Sequence, residues 1–189
     1  HNGIIENSDE IKKELETKGI KFKSQTDTEV VTLLINESLR NNKPLASVFK
    51  TLKKLKGSFA LGIIFKNFPD IIIGARRGSP LAVGYSKEEN YIGSDSYALK
   101  SMTNKISYLE DGELCVLTKD EVSFYDGSLK KVNKKILTMS GDEASTDKGE
   151  YKHFMLKEIV EQPDTVKNCI EEYVDSFKKN INILNLPIE

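Results

Sequence analysis

The sequence predicts an α+β fold in which helices come first and a run of antiparallel strands follows. Apolar residues recur at spacings of three and four up to Leu55, and from Ser58 onward the pattern is that of strands. The turns between strands are short, and those at 67–70 and 110–112 are the clearest. Strands this close in sequence pair as antiparallel hairpins.

Three helices are expected before this change of period. The first is capped by Asn7 or its neighbour, with Glu10 placed for a capping box on Asn7, and it ends before Gly19 in the C′ position. The second carries the apolar residues of segment 30–39. The third begins at Pro44, because proline suits the first turn of a helix.

The polar pair Asn2-Gly3 in front of Ile4-Ile5 indicates the end of a buried strand at the start of the chain. Seven later strands are expected, at 58–65, 71–75, 81–85, 91–94, 107–109, 113–118 and 122–125. A short helical turn is expected between two of them, at 96–102.

The last part of the chain changes character again. Segment 140–150 contains Gly, Ser and Asp with few apolar residues, which indicates a flexible surface connection. Segment 151–177 is expected to be helical, with a break at Pro163. We therefore divide the chain into a domain at 1–150 and a linker with the start of a second domain at 151–189. Since no closing element follows, the C-terminus is expected to be a truncation.

The composition is that of a globular protein. Of 189 residues, 38% are hydrophobic and 30% are charged, and 28 basic residues against 29 acidic ones give a net charge of −1. This balance does not favour nucleic acid or an anionic membrane. No apolar run reaches the roughly 18 residues of a membrane span. Cys115 and Cys169 do not form a disulfide framework, which favours a cytoplasmic protein.

Asn2 and Gly3 are the first candidates for chemistry. An Asn side-chain amide and a Gly backbone N–H placed side by side can both donate to one developing oxyanion. An Asn-Gly step is also common in simple turns, so the pair by itself leaves both interpretations open.

Asp27 is the second candidate, in the segment Thr26-Asp27-Thr28-Glu29. One interpretation is ordinary helix capping, with acidic residues in the first turn. The other is that Asp27 is a fixed anion that binds a substrate ammonium group.

Other residues carry weaker signals. Arg76 and Arg77 stand beside a Gly turn and suggest either a phosphate site or a solvated strand end. His153 has no His or Cys neighbour at ligand spacing, so no metal site and no cofactor are expected. Neither Cys115 nor Cys169 has a His/Asp partner at triad spacing.

Taken together, five segments resemble one family, the isomerizing glutamine–fructose-6-phosphate aminotransferases, or glucosamine-6-phosphate synthases. They occur in the same order there: 1–7 (HNGIIEN), 26–30 (TDTEV), 78–81 (GSPL), 93–95 (GSD) and 151–163 (YKHFMLKEIVEQP). The resemblance covers the chain from its first residue to about residue 170. The second and last segments are the most specific, whereas the first is shared with other class-II amidotransferases.

The resemblance implies an N-terminal-nucleophile hydrolase fold, a four-layer αββα sandwich with antiparallel sheets, present here as an incomplete portion. In the family an N-terminal cysteine hydrolyses L-glutamine, with its own α-amino group as the base. The ammonia passes to a sugar isomerase domain, which forms glucosamine 6-phosphate from fructose 6-phosphate. A homo-oligomer is implied for the full-length enzyme.

The resemblance also implies residue roles. Asn2 (side chain) and Gly3 (backbone N–H) correspond to the oxyanion hole, and Asp27 to the partner of the glutamine α-ammonium. Segment 151–163 corresponds to the linker into the isomerase half. The family's N-terminal cysteine is absent from these 189 residues, so this polypeptide alone is expected to be inactive and poorly stable or self-associating. The alternatives are a non-catalytic scaffold module and another class-II amidotransferase, such as amidophosphoribosyltransferase.

Overall fold

A computed structural model of the chain describes residues 1–139, 148–175 and 180–181. The chain forms two compact units, His1–Gly141 and Asp142–Glu189. The elements of the first unit are β1 (Asn2–Ile5), α1 (Ser8–Thr17), α2 (Asp27–Leu39), α3 (Pro44–Leu52), β2 (Gly57–Phe65), β3 (Phe68–Arg77), β4 (Ala82–Tyr85), β5 (Asn90–Gly93), α4 (Ser96–Leu99), β6 (Lys105–Tyr108), β7 (Leu114–Leu117), β8 (Val122–Tyr125), β9 (Lys131–Val132) and β10 (Leu137–Thr138). The second unit contains α5 (Phe154–Tyr173), β11 (Val174–Asp175) and β12 (Asn180–Ile181).

Two antiparallel sheets form the centre of the first unit. The six-stranded sheet has the order β1-β2-β3-β7-β8-β9, and the four-stranded sheet has the order β10-β6-β4-β5. Every described strand pair is antiparallel. The α+β prediction with hairpin-paired strands is therefore confirmed.

Three apolar clusters separate four layers. Helices α1, α2 and α3 pack on one face of the six-stranded sheet, where Leu15 and Val48 are fully buried with Phe59. The opposite face of that sheet packs on the four-stranded sheet, with Val83 among the buried side chains. The third cluster joins the four-stranded sheet to α4 through Leu99. The order of layers is helices, sheet, sheet, helix.

Two helix ends follow the local rules from which they were predicted. Gly19 ends α1 with φ of +79°, and its N–H donates to the Glu16 carbonyl, as predicted. Pro44 occupies the first turn of α3, also as predicted.

The capping box predicted at Asn7 is wrong. The Asn7 side chain makes no cap hydrogen bond. Its Nδ2 donates to the Lys54 carbonyl at 2.9 Å, and its Oδ1 accepts from the Lys56 N–H at 2.8 Å. The Asn7 carboxamide therefore connects the start of α1 to the chain that enters β2. Both of its polar atoms bond to the backbone of Lys54 and Lys56, so neither is available to cap the helix.

The first strand differs from the prediction of a buried strand. Among the described strands, β1 lies at the edge of its sheet and pairs only with β2. Ile5 is buried, but Ile4 is 69% exposed, because the two side chains point to opposite faces.

The second unit also departs from the prediction. Helix α5 continues through Pro163 without a break. Proline removes the N–H that would bond to the Ile159 carbonyl, but α5 is largely exposed, so water can reach that carbonyl. Residues 140–147 of the predicted connection, residues 176–177 of the predicted helix and the terminal residues 182–189 lie outside the described part of the chain. The domain boundary at 150 stays a prediction and lies nine residues beyond Gly141, the last residue of the first unit.

Four short strands, β9, β10, β11 and β12, were not expected from the sequence, and β11 lies within the segment that was predicted to be helical. Each has only two residues, too few for an alternating pattern to be recognised. Among the described helices, none has the length and apolar character to cross a membrane.

The second half of β2 lacks a strand on its outer side among the described elements. β1 pairs with residues 57–60 of β2 only, so residues 61–65 form an open edge, in which Ile64 is 79% exposed. Unpaired N–H and C=O groups beside apolar side chains favour intermolecular pairing. We therefore predict that the 189-residue chain, produced by itself, self-associates, and that Ile64→Lys reduces the associated fraction severalfold by light scattering after size-exclusion chromatography.

The matched control for this prediction is Tyr97→Lys, which adds the same charge at another large exposed side chain, 53% exposed on α4. It should leave the association unchanged. A monomeric wild-type chain, or association that Ile64→Lys and Tyr97→Lys affect equally, would contradict the role of the open edge.

Candidate active site

Gly3 has a backbone conformation that requires glycine. Its φ is +118°, and a Cβ atom at this position would overlap the Ser58 carbonyl oxygen on β2. Gly78, with φ of +74°, approaches the same serine from the other side, and a Cβ there would overlap the Ser58 hydroxyl. The backbone segments around Ser58 therefore pack closely at the point where Asn2-Gly3 lies.

The Gly3 N–H points away from β2. The Glu6 N–H donates to the Lys56 carbonyl, so the even-numbered residues of β1 form the hydrogen-bonded pairs with β2. Because N–H groups alternate sides along a strand, those of Gly3 and Ile5 face the outer side of β1. The Ile5 N–H on this outer side donates to the side chain of Asp27.

Asn2 is exposed and adjoins this outer side. Its carboxamide has no hydrogen-bond partner among the described residues, unlike that of Asn7. The Asn2 amide group is therefore available to a ligand without the loss of an existing bond.

Asp27 is the first residue of α2, but it does not cap that helix. The Thr26 hydroxyl accepts the Glu29 N–H at 3.3 Å and performs the capping. The Asp27 Oδ2 instead accepts the Ile5 N–H at 2.9 Å. Asp27 lies in the first turn of α2, where the helix dipole attracts acidic side chains.

His1 and Thr28 complete the surroundings of Asp27. The His1 Nδ1 lies 2.8 Å from the Thr28 hydroxyl and 3.6 Å from the Asp27 Oδ1. The His1 imidazole is 6% exposed and the Asp27 side chain 26%. Two residues of the opening segment, His1 and Ile5, thus contact Asp27, and Asn2 and Gly3 lie between them. The structure brings the two candidate sites of the sequence to one place.

A groove of about 750 Å³ adjoins the site. It runs between one face of α2 and the β2–β3 hairpin, and His1 and Thr28 form part of its wall. The groove is continuous with the open edge of β2.

Glu29 is a supporting residue that the sequence analysis did not single out. Its carboxylate accepts the backbone N–H groups of Lys23 and Ser24 at 2.8 and 2.6 Å and the Ser24 hydroxyl at 2.6 Å. The hydrogen bond from the Ser24 side chain, followed by that from the Lys23 backbone, lowers the pKa of Glu29. The sequence did contain a signal for this role, because Glu29 stands three residues after Thr26, the spacing of a capping box.

Arg76 and Arg77 do not form the suggested phosphate site or a solvated strand end. Both are half-buried, and their guanidinium groups donate to backbone carbonyls. Arg77 reaches Leu55 at 2.7 Å and Leu52 at 3.2 Å, and Arg76 reaches Leu109. The last carbonyl of α3, that of Leu52, and the carbonyl of Leu55 after the helix lack intrahelical donors, and Arg77 supplies them.

The two cysteines have different environments. Cys115 is fully buried between the sheets, and burial raises the pKa of its thiol to about 12. Cys169 is exposed on α5. Within the described ranges, no three His, Cys, Asp or Glu side chains are grouped so as to hold a metal ion.

These environments predict different reactivities. At pH 8 the Cys115 thiol is protonated and buried, so iodoacetamide should modify Cys169 at least 100-fold faster, as followed by mass spectrometry of peptides. Unfolding the chain in urea is the control and should remove most of the difference. Rapid alkylation of Cys115 in the folded chain would contradict its burial.

The same thiol predicts a pH dependence of stability. Its pKa rises on folding from 9.0 to about 12. The unfolded chain therefore loses this proton first, and the free energy of unfolding should fall as the pH rises from about 9 toward 12. The urea midpoint measured between these values should fall less in Cys115→Ala than in the wild type.

Comparisons with known proteins place these observations in a family. The sequence profile of the glutamine amidotransferase domain matches residues 1–101. The chain is 48% identical over 175 residues to the isomerizing glutamine–fructose-6-phosphate aminotransferase of Zymomonas mobilis subsp. mobilis, covering 92% of this chain and 29% of that protein. The enzymes of the same name from Bradyrhizobium diazoefficiens and Aquifex aeolicus are each 44% identical, covering 100% and 93% of this chain and 31% and 30% of theirs.

Solved structures agree with the fold. The glutamine phosphoribosylpyrophosphate amidotransferase of B. subtilis, complexed with ADP and GMP, superimposes with a TM-score of 0.58 at 26% identity, over 69% of this chain and 29% of that one. A second structure, described as the allosteric regulatory enzyme of purine biosynthesis, has the same TM-score and identity over 68% and 28%. The helix–sheet–sheet–helix layers are thus those of the N-terminal-nucleophile hydrolase fold, as expected.

The chain spans about 30% of the length of the curated relatives it matches. The family profile accounts for its first 101 residues, which contain Asn2, Gly3 and Asp27 and make up more than half of its 189 residues. The chain belongs to the glutamine amidotransferase domain family.

Proposed function

We propose that this chain is part of the glutaminase domain of an isomerizing glutamine–fructose-6-phosphate aminotransferase. The parent enzyme hydrolyses L-glutamine and delivers the ammonia to fructose 6-phosphate, forming glucosamine 6-phosphate. The observation that carries the proposal is the hydrogen bond from Ile5 N–H to Asp27 Oδ2, because it joins a fixed carboxylate to the strand that presents Asn2 and Gly3.

The proposed site matches the two ends of one substrate. Asp27 pairs with the α-ammonium of glutamine, and Asn2 and Gly3 donate to its side-chain amide oxygen. Gly3 precedes Ile5 by two residues, about 7 Å along a strand. The four bonds between the α-nitrogen and the amide carbon of glutamine, with a hydrogen bond at each end, can span this distance.

In the proposed reaction a cysteine thiolate attacks the amide carbon, and the amide oxygen becomes an oxyanion. The Asn2 side-chain N–H and the Gly3 backbone N–H stabilise that charge. The C–N bond then breaks, ammonia leaves with a proton from the base, and water hydrolyses the resulting thioester to glutamate. The α-amino group of the N-terminal cysteine is the proposed base.

The nucleophile is supplied by a part of the protein other than residues 1–189. Cys115 is unsuited because its thiol is buried and protonated at neutral pH. Cys169 lies within α5, so its backbone nitrogen is an amide and cannot act as the base. We propose that these 189 residues alone do not hydrolyse glutamine.

The alternative parent enzyme is amidophosphoribosyltransferase. It is the less favoured one, because the aminotransferase relatives are 44–48% identical over 92–100% of the chain, whereas the solved amidotransferase structures are 26% identical over 68–69%. A cytoplasmic homo-oligomer, and an isomerase domain entered through segment 151–163, belong to the same proposal.

The role of Asp27 is tested in the full-length protein with Asp27→Asn. Asparagine keeps an oxygen that can accept the Ile5 N–H but removes the charge that binds an ammonium group. We expect KM for L-glutamine to rise by at least 10-fold with kcat changed less than threefold, measured by release of glutamate; such an effect corresponds to a charge-assisted hydrogen bond of about 1.5–3 kcal/mol. Asp27→Ala should raise KM similarly and also lower the unfolding temperature. An unchanged KM in both variants would refute the ammonium-binding role.

The role of Asn2 is tested by Asn2→Ala in the same protein. Loss of one oxyanion donor lowers kcat by about 10²–10³ while KM changes little. Asn133→Ala, at another exposed position, is the matched control and should retain wild-type kcat. If Asn2→Ala alters kcat by less than threefold, the oxyanion assignment is incorrect.

A further inference from the structure

We propose that Thr28, together with His1, is a positioning residue for Asp27 and thereby sets the affinity for the α-ammonium of glutamine. The inference rests on the proposed function of Asp27 and extends it to two side chains that need not touch the substrate. It is carried by the contacts on the carboxylate and by the burial of the imidazole.

The two oxygens of Asp27 are held by different elements. The Oδ2 accepts the Ile5 N–H from β1 at 2.9 Å. The Oδ1 lies 3.4 Å from the Thr28 hydroxyl, which can donate to it, and 3.6 Å from the His1 Nδ1. One oxygen is therefore fixed by the backbone of the strand and the other by side chains.

The positions of these acceptors determine the arrangement of protons. The His1 Nδ1 lies near two oxygens, the Thr28 hydroxyl at 2.8 Å and the Asp27 carboxylate. A lone pair on Nδ1 would face the negative carboxylate, so Nδ1 carries the proton. The proton on Nδ1 is then donated to the Thr28 hydroxyl, whose own proton is directed toward Asp27 Oδ1. A chain of donors thus runs from His1 through Thr28 to the carboxylate.

The chain of donors restricts the rotation of the Asp27 carboxylate. With Oδ2 bound to Ile5 and Oδ1 facing Thr28, both oxygens keep fixed directions before a ligand arrives. An ammonium group then binds to a preorganised carboxylate, which lowers the cost of ordering on binding. The imidazole is only 6% exposed, so water competes little for its Nδ1 proton.

Thr28→Val separates this role from simple packing. Valine has nearly the shape of threonine but lacks the hydroxyl, whereas Thr28→Ser keeps the hydroxyl and loses a methyl group. Thr32→Val is the matched control: it removes a hydroxyl one turn along α2 that donates to the Thr28 carbonyl at 2.9 Å. All variants are made in the full-length protein, and their unfolding temperatures are compared.

The experiment measures glutamine hydrolysis with two probes. For L-glutamine, Thr28→Val should raise KM about 3- to 10-fold, the effect of one hydrogen bond, with kcat within twofold of the wild type. Thr28→Ser should restore KM, and Thr32→Val should not change it. The second probe is 4-carbamoylbutanoate, glutamine without its α-amino group, used as a competitive inhibitor. Its inhibition constant should be the same in Thr28→Val and in the wild type.

Other outcomes overturn the inference in recognisable ways. An unchanged KM in Thr28→Val, or equal changes for L-glutamine and 4-carbamoylbutanoate, would show that Thr28 does not act through the ammonium site. Failure of Thr28→Ser to restore KM would assign the effect to packing. A wild-type protein without glutaminase activity, or an Asp27→Asn variant with unchanged KM, would instead refute the proposed function.

Discussion

The hydrogen bond between the Ile5 N–H and the Asp27 carboxylate is the constraint on which the candidate site depends. It joins an edge strand of four residues to the first turn of α2. The neighbouring contacts of His1 with Thr28 and Asp27 hold the start of the same strand against α2. Because the backbone donor belongs to β1 and the side-chain acceptor to α2, this hydrogen bond sets how far the dipeptide Asn2-Gly3 lies from the carboxylate.

The sequence predicted most of the fold because its local signals agree with one another. The change of apolar period after Leu55, the glycine at the end of α1 and the proline at the start of α3 each have a direct physical cause. The failure at Asn7 has a different cause. Asn7 leaves its helix to bond the chain entering β2, and such a long-range contact has no signature in the local sequence.

The candidate site was predicted in part. Asn2, Gly3 and Asp27 were identified from residue type and from a resemblance, but their proximity required the fold. His1 and Thr28 were missed, because a histidine and a threonine are common residues and only their contacts with Asp27 distinguish them. The arginine pair shows the opposite error. Two adjacent arginines in a sequence suggest an anion-binding site, but in this structure their guanidinium groups donate to backbone carbonyls instead.

The close approach of Gly3 and Gly78 to Ser58 has a consequence for how this region can vary. The serine carbonyl and hydroxyl occupy the volumes that side chains at the two glycines would need. A smaller residue at position 58 cannot make room for a side chain at Gly3, because that overlap is with a backbone oxygen that every amino acid has. At Gly78 the overlap is with the Ser58 hydroxyl, which a smaller residue would remove, but the φ of +74° still disfavours a side chain there. Two different constraints therefore meet at Ser58: the backbone of β2 requires glycine at position 3 whatever residue stands at 58, whereas a side chain at position 78 requires a smaller residue at 58 as well.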